Sequence, residues 1–449
     1  MTHLLLPSTR VHTKDIDQLT LDLVINRKAA RAGVLVTALA FTGLLTLAAS
    51  STFVVGALTD ERVSPPPEAL AAAIVYFPGS ARLNARLAEH ELVQEERDLS
   101  LAESYARRAV NLSPWDYNYR LSLANVEEAS GNRDAAEASL RSALALAPNN
   151  ADVHWRMANL LLRLGKAEES IDEFRKATVV NSSLLGATLD LTWRASGGKV
   201  EQVEAVTGND PKSRLVLAQF LLKQSSVSEA AIIFGKIDRF QRLKTPETSA
   251  FLSLLIDSGR WARARELWLD TVSADGAPPD RRSSLIWNGS FERESVRDLP
   301  QFDWNIGATQ YARIALSGDI AHSGSHSLRI SFAGRDTTRI DGEIKQLVVI
   351  TPGRRYRVEC YSKSDRLATP GAPYLAVLDA RTSLEIGASG PAPVGSSDWA
   401  RLSCEFTAPD NCEAVLIEIR RLPKFSYDDH TEGTMWVDDF ALMELGSDK

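Results

Sequence analysis

The pattern of apolar and polar positions divides the chain into three consecutive regions. No residue from Ala32 to Thr59 is charged, and a bilayer core needs about 20 apolar residues in a helix. Apolar positions then recur at helical spacing to about residue 273, and from about residue 284 they alternate with polar ones. Helical spacing predicts helices and alternation predicts strands. The expected fold class is multidomain α plus β: a single transmembrane helix, an α-solenoid of helical pairs, and a β-sandwich or jelly roll.

Charges flank the apolar run asymmetrically: Arg27, Lys28 and Arg31 precede it, and Asp60 and Glu61 follow it. The positive-inside rule therefore predicts that residues 1–31 form a cytoplasmic tail, that residues 32–59 span the membrane, and that the rest lies beyond it. The alternative is a cleaved signal peptide, which has a short leading region and an apolar core of about 7–15 residues. The long tail and the long run favour a retained anchor.

A 34-residue period organises the helical region, predicted at 66–273. Residues 115–148 and 149–182 align without gaps, with matches at Ala124/Ala158, Asn125/Asn159, Gly131/Gly165, Arg141/Arg175 and Ala143/Ala177. This pattern resembles the tetratricopeptide repeat. Five to six helical pairs are expected, with Gly131 and Gly165 left-handed at the turns.

The resemblance implies a concave surface that binds protein partners, with Asn125 and Asn159 facing a peptide groove. The alternative is that these two asparagines are only solvated.

The last third, predicted as a sandwich at 284–446 after a linker at 274–283, contains eight runs typical of strands. They are 312–316, 327–332, 344–350, 356–362, 374–380, 399–406, 414–422 and 434–445. Eight to ten short strands separated by turn residues predict a β-sandwich or jelly roll.

Several short motifs occur in a fixed order in this region: Asn288–Glu292, Trp304, His322–Arg329, Pro352–Tyr356, Trp399 with Thr407–Pro409, and Gly433–Leu442. That order resembles galactose-binding-like jelly rolls used as carbohydrate-binding modules. In this family the segment that begins at His322 is a glycine-containing turn that leads into a core strand. We therefore expect His322 and His326 to be structural, because no further zinc ligand is indicated nearby.

The same resemblance implies two kinds of site. A structural calcium ion would take oxygens from Glu292, Asp438 and Asp439, which otherwise cap strand ends; calcium prefers six to eight oxygens. A glycan needs an exposed ring for stacking and planar hydrogen-bonding groups, and the candidates are Trp304, Tyr374, Asp379 and Arg420. Trp399 and Trp436 are expected in the core. The alternative is a packing domain that binds no sugar.

Composition removes several classes of function. The net charge is −7, and without a basic stripe nucleic acid is not an expected partner. The three cysteines form no CxxC pair, which excludes zinc ribbons and thioredoxin-like sites. Alternation places Cys360 and Cys404 inward, either bridged in an oxidising compartment or as buried free thiols.

The sequence thus favours a non-enzymatic, membrane-anchored scaffold, without a certain cofactor, whose repeats bind proteins and whose jelly roll binds glycan. An alanine- and arginine-rich composition fits a bacterial inner membrane with periplasmic domains, and a role in envelope polysaccharide assembly or export. One alternative is a purely structural interaction protein. A hydrolase is the weakest, since no nucleophile elbow or HExxH motif is present.

Overall fold

The computed structural model describes residues 28–60, 65–94, 97–273, 284–427 and 429–446. Within them lie fifteen α-helices followed by an antiparallel sandwich of two five-stranded sheets, which confirms the expected fold class. Most of the expected tail and the whole expected linker 274–283 lie outside the described residues. The chain divides into two compact units, residues 1–170 and 171–449.

The first helix is the apolar run. Helix α1 spans Lys28–Leu58, and its segment Ala32–Leu58 is long and apolar enough to cross a membrane. A signal sequence near an N-terminus meets the same criteria. The helix is therefore established, whereas its role as a retained anchor stays a prediction.

Short helices, five of them with a side-chain N-cap, make up the rest of the first unit. They are α2 Pro67–Tyr76, α3 Ala81–Val93, α4 Leu99–Leu112, α5 Tyr117–Ala129, α6 Arg133–Leu146 and α7 Ala151–Arg163, with α8 Ala167–Val180 crossing the unit boundary. Asp116 and Asn150 accept N-cap hydrogen bonds from first-turn amides of α5 and α7. Gly131 and Gly165 have φ of 79° and 75°, which confirms the left-handed turns.

The second unit begins with further helices: α9 Leu185–Ser196, α10 Val200–Thr207, α11 Pro211–Lys223, α12 Val227–Gly235, α13 Arg239–Lys244, α14 Glu247–Asp257 and α15 Trp261–Val272. Helices α11 and α12 form one further helical pair, and α14 and α15 form the last one. Gly259 between α14 and α15 has φ of 73°, like the two glycines of the clear repeats.

The ten strands are β1 Asn305–Ile306, β2 Ala312–Ser317, β3 Ser327–Ala333, β4 Ile344–Val349, β5 Arg355–Ala368, β6 Tyr374–Asp379, β7 Glu385–Pro391, β8 Gly395–Thr407, β9 Ala414–Arg420 and β10 Glu432–Leu445. Their order is β1-β4-β9-β6-β7 in one sheet and β2-β3-β10-β5-β8 in the other. All eight predicted runs form strands, and β1 and β7 were missed. Leu328, Ile330 and Phe332 of β3 join the core between the sheets, as expected.

The sandwich begins and ends side by side. The amide of Leu285 donates to the carbonyl of Leu442 at 2.9 Å, and the amide of Leu442 donates to Ser284 Oγ at 3.2 Å. The first described residues of the sandwich are therefore tied to its last strand, three residues before that strand ends.

Within the second unit, the sandwich is docked on the last helical pair through Trp268. This side chain is fully buried, and its Nε1 donates to the carbonyl of Leu299 at 2.8 Å. Its ring lies edge-to-face with Trp287 at 5.1 Å and with Phe302 at 5.8 Å between centroids. Two more hydrogen bonds cross the same contact: Gln301 Nε2 to Ser249 Oγ at 2.6 Å, and Arg265 Nη2 to the carbonyl of Leu285 at 2.7 Å.

The cysteines are free thiols, so the buried-thiol alternative holds. Cys360 and Cys412 are buried and Cys404 is partly buried. Burial raises the pKa of Cys404 to about 11 and, helped by a hydrogen bond to Asp379, that of Cys412 to about 12.

Candidate functional site

The first candidate site is a groove in the repeats, with a volume of about 320 Å³. Asn125 and Asn159 both line it, so the structure brings these two predicted residues together. Asn125 Oδ1 accepts a hydrogen bond from Arg156 Nη1 at 3.0 Å. Asn159 Nδ2 donates to the carbonyl of Trp155 at 2.8 Å, and its Oδ1 has no hydrogen bond among the described residues. One asparagine is thus held by an arginine, and the other presents an acceptor.

Ion pairs that the sequence analysis did not single out line the same groove. Arg156 pairs with Asp152 at 2.9 Å, and Arg163 pairs with Glu128 at 2.5 Å. An adjoining groove of about 810 Å³ shares Asn125, Asp152 and Arg156 with the first and continues past Arg82 and Arg86 to the end of α1. The i,i+4 spacing of Asp152 and Arg156 was the available signal for one of these pairs.

The second candidate site is a sheet face on β6 and β9, where Tyr374 lies directly opposite Arg420. Tyr374 Oη donates to Glu385 Oε2 at 3.1 Å, and Arg420 Nη1 donates to the same oxygen at 3.0 Å. Arg420 Nε and Nη2 both donate to Asp341 Oδ1, at 2.9 and 2.5 Å. Two of the four predicted glycan candidates therefore meet, and a carboxylate on each side fixes the guanidinium. We call Tyr374, Arg420, Glu385 and Asp341 the tyrosine–arginine cluster.

Glu418 lies two residues before Arg420 and therefore on the same face of β9. It is 3% exposed, and its Oε2 makes no hydrogen bond within the described part of the chain. The nearest cation is Arg420 Nε at 3.7 Å. Burial raises the pKa of Glu418, and the positive charges of Arg420 and Lys345 oppose that rise. The face thus contains a buried carboxyl oxygen that still has hydrogen-bonding capacity.

The other two glycan candidates lie elsewhere and are buried. Trp304 is 6% exposed, its Nε1 donates to the carbonyl of Asn288 at 3.1 Å, and its ring packs on Phe440 at 4.6 Å. Asp379 is also buried and accepts the amides of two following residues, Arg381 and Thr382. The ring of Trp304 has no exposed face on which a sugar could stack, and Asp379 caps the turn after β6. We therefore correct the expectation that these two side chains are available to a glycan, because both are buried.

The two tryptophans expected in the core differ from each other. Trp436 is 8% exposed. Trp399 is only partly buried, and its ring meets that of His322 edge-on at 5.5 Å.

The predicted calcium residues surround the turn at 322–326. Glu292 Oε1 accepts the amides of Ser325 and His326, at 2.6 and 2.7 Å. Asp438 Oδ2 accepts the amide of His322 at 2.8 Å, and Asp439 Oδ2 lies 2.6 Å from His322 Nδ1. These contacts make the segment with the two histidines a turn held by carboxylates.

These carboxylates do not form an oxygen cage. Calcium takes six to eight oxygen ligands, whereas the oxygens of Glu292, Asp438 and Asp439 already accept hydrogen bonds from N–H and O–H donors. Among the described residues, no group of three or more His, Cys, Asp or Glu side chains is arranged to hold a metal ion. Bound calcium stays a prediction, and the residues present do not fit it in this arrangement.

Burial raises the pKa of the Asp438 carboxyl, beside the 322–326 turn, to about 6.

Comparison with known proteins gives one family match. The sequence model of the tetratricopeptide repeat matches residues 121–182, which include most of α5 and all of α6 to α8. This part of the chain is a repeat of the kind that forms protein-interaction scaffolds. No curated protein shows a significant match.

Several solved structures each resemble part of the chain. One titled "CBM4 structure and function" is 19% identical, covers 36% of this chain and 99% of its own, and has a TM-score of 0.27. The MamA protein is 13% identical, with 47% and 96% coverage and a TM-score of 0.28. YrrB, titled a TPR protein with an unusual peptide-binding site, is 15% identical, with 47% and 95% coverage and a TM-score of 0.25.

Proposed function

We propose that this protein is a non-enzymatic, membrane-anchored scaffold whose repeats bind a protein partner and whose sandwich binds a glycan. Its setting is the assembly or export of an envelope polysaccharide at a bacterial inner membrane, with the repeats and the sandwich in the periplasm. The observation that carries the proposal is that one chain combines a repeat groove with a sheet face where a ring, a fixed guanidinium and carboxylates lie side by side.

The tyrosine–arginine cluster supports glycan binding by its chemistry. A pyranose presents an apolar face that packs on an aromatic ring, and hydroxyls that pair with planar polar groups. Tyr374 supplies a partly exposed ring. Arg420 is held at both sides, so little side-chain entropy is lost when it donates to a ligand.

The groove supports the protein-binding part. A peptide in extended conformation leaves its backbone polar groups unpaired, and side chains such as Asn159 satisfy them with a carbonyl or an amide. The lining pairs Arg156–Asp152 and Arg163–Glu128 are partly exposed. Each ion pair offers one positive and one negative charge to a partner. The groove therefore suits a segment that carries both acidic and basic residues.

Glycan binding is tested with the full chain in a detergent that has no sugar headgroup, on a glycan array with and without calcium. Replacing Tyr374→Ala removes the stacking ring and should abolish binding. The matched control is Tyr427→Ala, a 75% exposed tyrosine outside the cluster, which should leave binding unchanged. No binding by the parent chain would favour the purely structural interaction protein, and a calcium requirement would show that the carboxylates at the 322–326 turn rearrange.

Protein binding is tested by photo-crosslinking in cells. A photoreactive residue in place of Trp155, which lines the groove, should give one discrete adduct that is weakened by Asn159→Ala. The same residue in place of Trp115, 84% exposed between α4 and α5, should give none. Equal adducts at both positions would show that the groove has no preferred partner.

A further inference from the structure

The end of α1 is packed against the first helices of the repeat region. Val55 and Leu58 of α1 lie on a small core formed by Leu70, Ala73, Leu83 and Leu87. Thr59, directly after α1, is 8% exposed. Helix α2 is therefore held beside the last turns of α1.

The length of α1 limits the depth of that contact, if α1 spans a bilayer as proposed. The 27 residues from Ala32 to Leu58 measure about 40 Å at a rise of about 1.5 Å per residue. The hydrocarbon core is only about 30 Å thick. The charged Asp60 follows two residues after α1, and charges avoid the hydrocarbon. The last turns of α1, and with them α2, then lie near the level of the lipid headgroups and glycerol backbones.

The outward face of α2 carries one exposed carboxylate, Glu68 in its first turn, and is otherwise apolar. Val75 and Tyr76 are 74% and 78% exposed, and Ala71 and Ala72 are exposed beside them. From Ala69 to Ser80 the chain has no charged residue.

Helix α4 is a contrast within the same unit. Its outward face carries Arg107 and Arg108, as expected for a helix in water. The composition of α2 therefore points to a less polar surrounding on its outer side.

We propose that the face of α2 formed by Ala71, Ala72, Val75 and Tyr76 lies in the interfacial layer of the bilayer, next to α1. This inference rests on the proposed membrane anchorage and adds a second membrane contact. Apolar side chains gain by leaving water at that level, and the tyrosine ring suits an interface because it has an apolar body and a polar tip. The contact would stop the first repeats from rotating freely about the axis of α1.

The test uses nitroxide labels at three positions in the full chain, reconstituted in lipid bilayers. Phe41→Cys lies within α1, Val75→Cys on the α2 face, and Trp115→Cys on a distant surface of the same unit. Collision rates with oxygen, which concentrates in lipid, and with a water-soluble nickel complex report the surroundings of each label. The parent chain is the control for its own thiols, which are largely buried and have a raised pKa.

We expect the ratio of oxygen to nickel collisions to be high at position 41, several-fold lower at 75, and lowest at 115. A ratio at 75 equal to that at 115, with a high ratio at 41, would overturn the inference and leave the anchor intact. A low ratio at 41 would overturn the anchor itself, and with it the premise of the inference. Val75→Asp should lower the ratio for a label at Ala72→Cys, whereas Trp115→Asp should not.

Discussion

Replacing Trp268→Ala should detach the sandwich from the last helical pair. Trp268 is fully buried and is the residue of α15 that contacts both Trp287 and Phe302. Its Nε1 also satisfies the carbonyl of Leu299. One substitution therefore removes two ring contacts and one buried hydrogen bond.

The expected cost follows from these three contacts. Truncating a buried tryptophan to alanine costs about 3–5 kcal/mol. Each edge-to-face ring pair accounts for about 0.5–1.5 kcal/mol of that, and the lost hydrogen bond for about 1 kcal/mol. A loss of about 4 kcal/mol is close to a thousandfold change in the local opening equilibrium. Trp268→Phe keeps most of the packing and loses the hydrogen bond, so it should cost about 1–2 kcal/mol.

Hydrogen exchange measured by mass spectrometry reads this opening locally, which suits a chain of several domains. Peptides from α14 and α15 and from residues 284–304 should lose protection in Trp268→Ala, while α5 to α7 should not change. Trp115→Ala, which removes a mostly exposed tryptophan, is the matched control and should alter neither region. Protection that falls by less than tenfold in the α15 peptides would refute the assignment of the docking contact to Trp268.

Two further predictions concern buried charges of the sandwich. Arg421 and Asp429 form a fully buried ion pair, so Asp429→Ala should cost about 3–5 kcal/mol, because it leaves an unpaired guanidinium. The double variant Arg421→Met/Asp429→Ala should cost less than the single one in thermal unfolding, and an equal or larger cost would contradict the pairing. Burial raises the pKa of Asp438 from 3.8 to about 6 in the folded state. The folded state therefore favours the protonated carboxyl, and its contribution to the free energy of unfolding is complete below pH 3.8 and is lost as the pH rises through about 6. Asp438→Asn should remove that loss of stability. The prediction would be contradicted by a difference in the free energy of unfolding between variant and parent that is the same at pH 4 and pH 7.

The elements whose signal lies within one segment were predictable. A 34-residue period with glycines at fixed places specifies helix pairs, and alternation specified eight strands. Strand β7 was missed because Glu385–Pro391 has little apolar character, and it becomes a strand by pairing with β6, as where Ala388 lies opposite Ala376. Such a strand depends on a neighbour that local sequence does not reveal.

The candidate sites were predicted only in part for the same reason. Tyr374 and Arg420 were recognised singly, but their position opposite each other depends on the pairing of β6 with β9. Asp341 lies between strands, 79 residues before Arg420, and carries no local signal. Trp304 was wrongly predicted to contact a glycan. A tryptophan beside a short strand has the same sequence pattern whether its ring is buried or exposed.

The adjacency of Leu285 and Leu442 has a consequence for how the sandwich is encoded. Since the two ends of this region meet, a circular permutant that joins residue 446 to residue 284 through a short bridge would keep every strand pairing. New termini at the turn between β6 and β7, where Leu384 is 67% exposed, would interrupt no sheet hydrogen bond beyond that turn. The strand at which the chain begins is then dispensable for the final fold, provided that the succession and the pairing of the strands are kept.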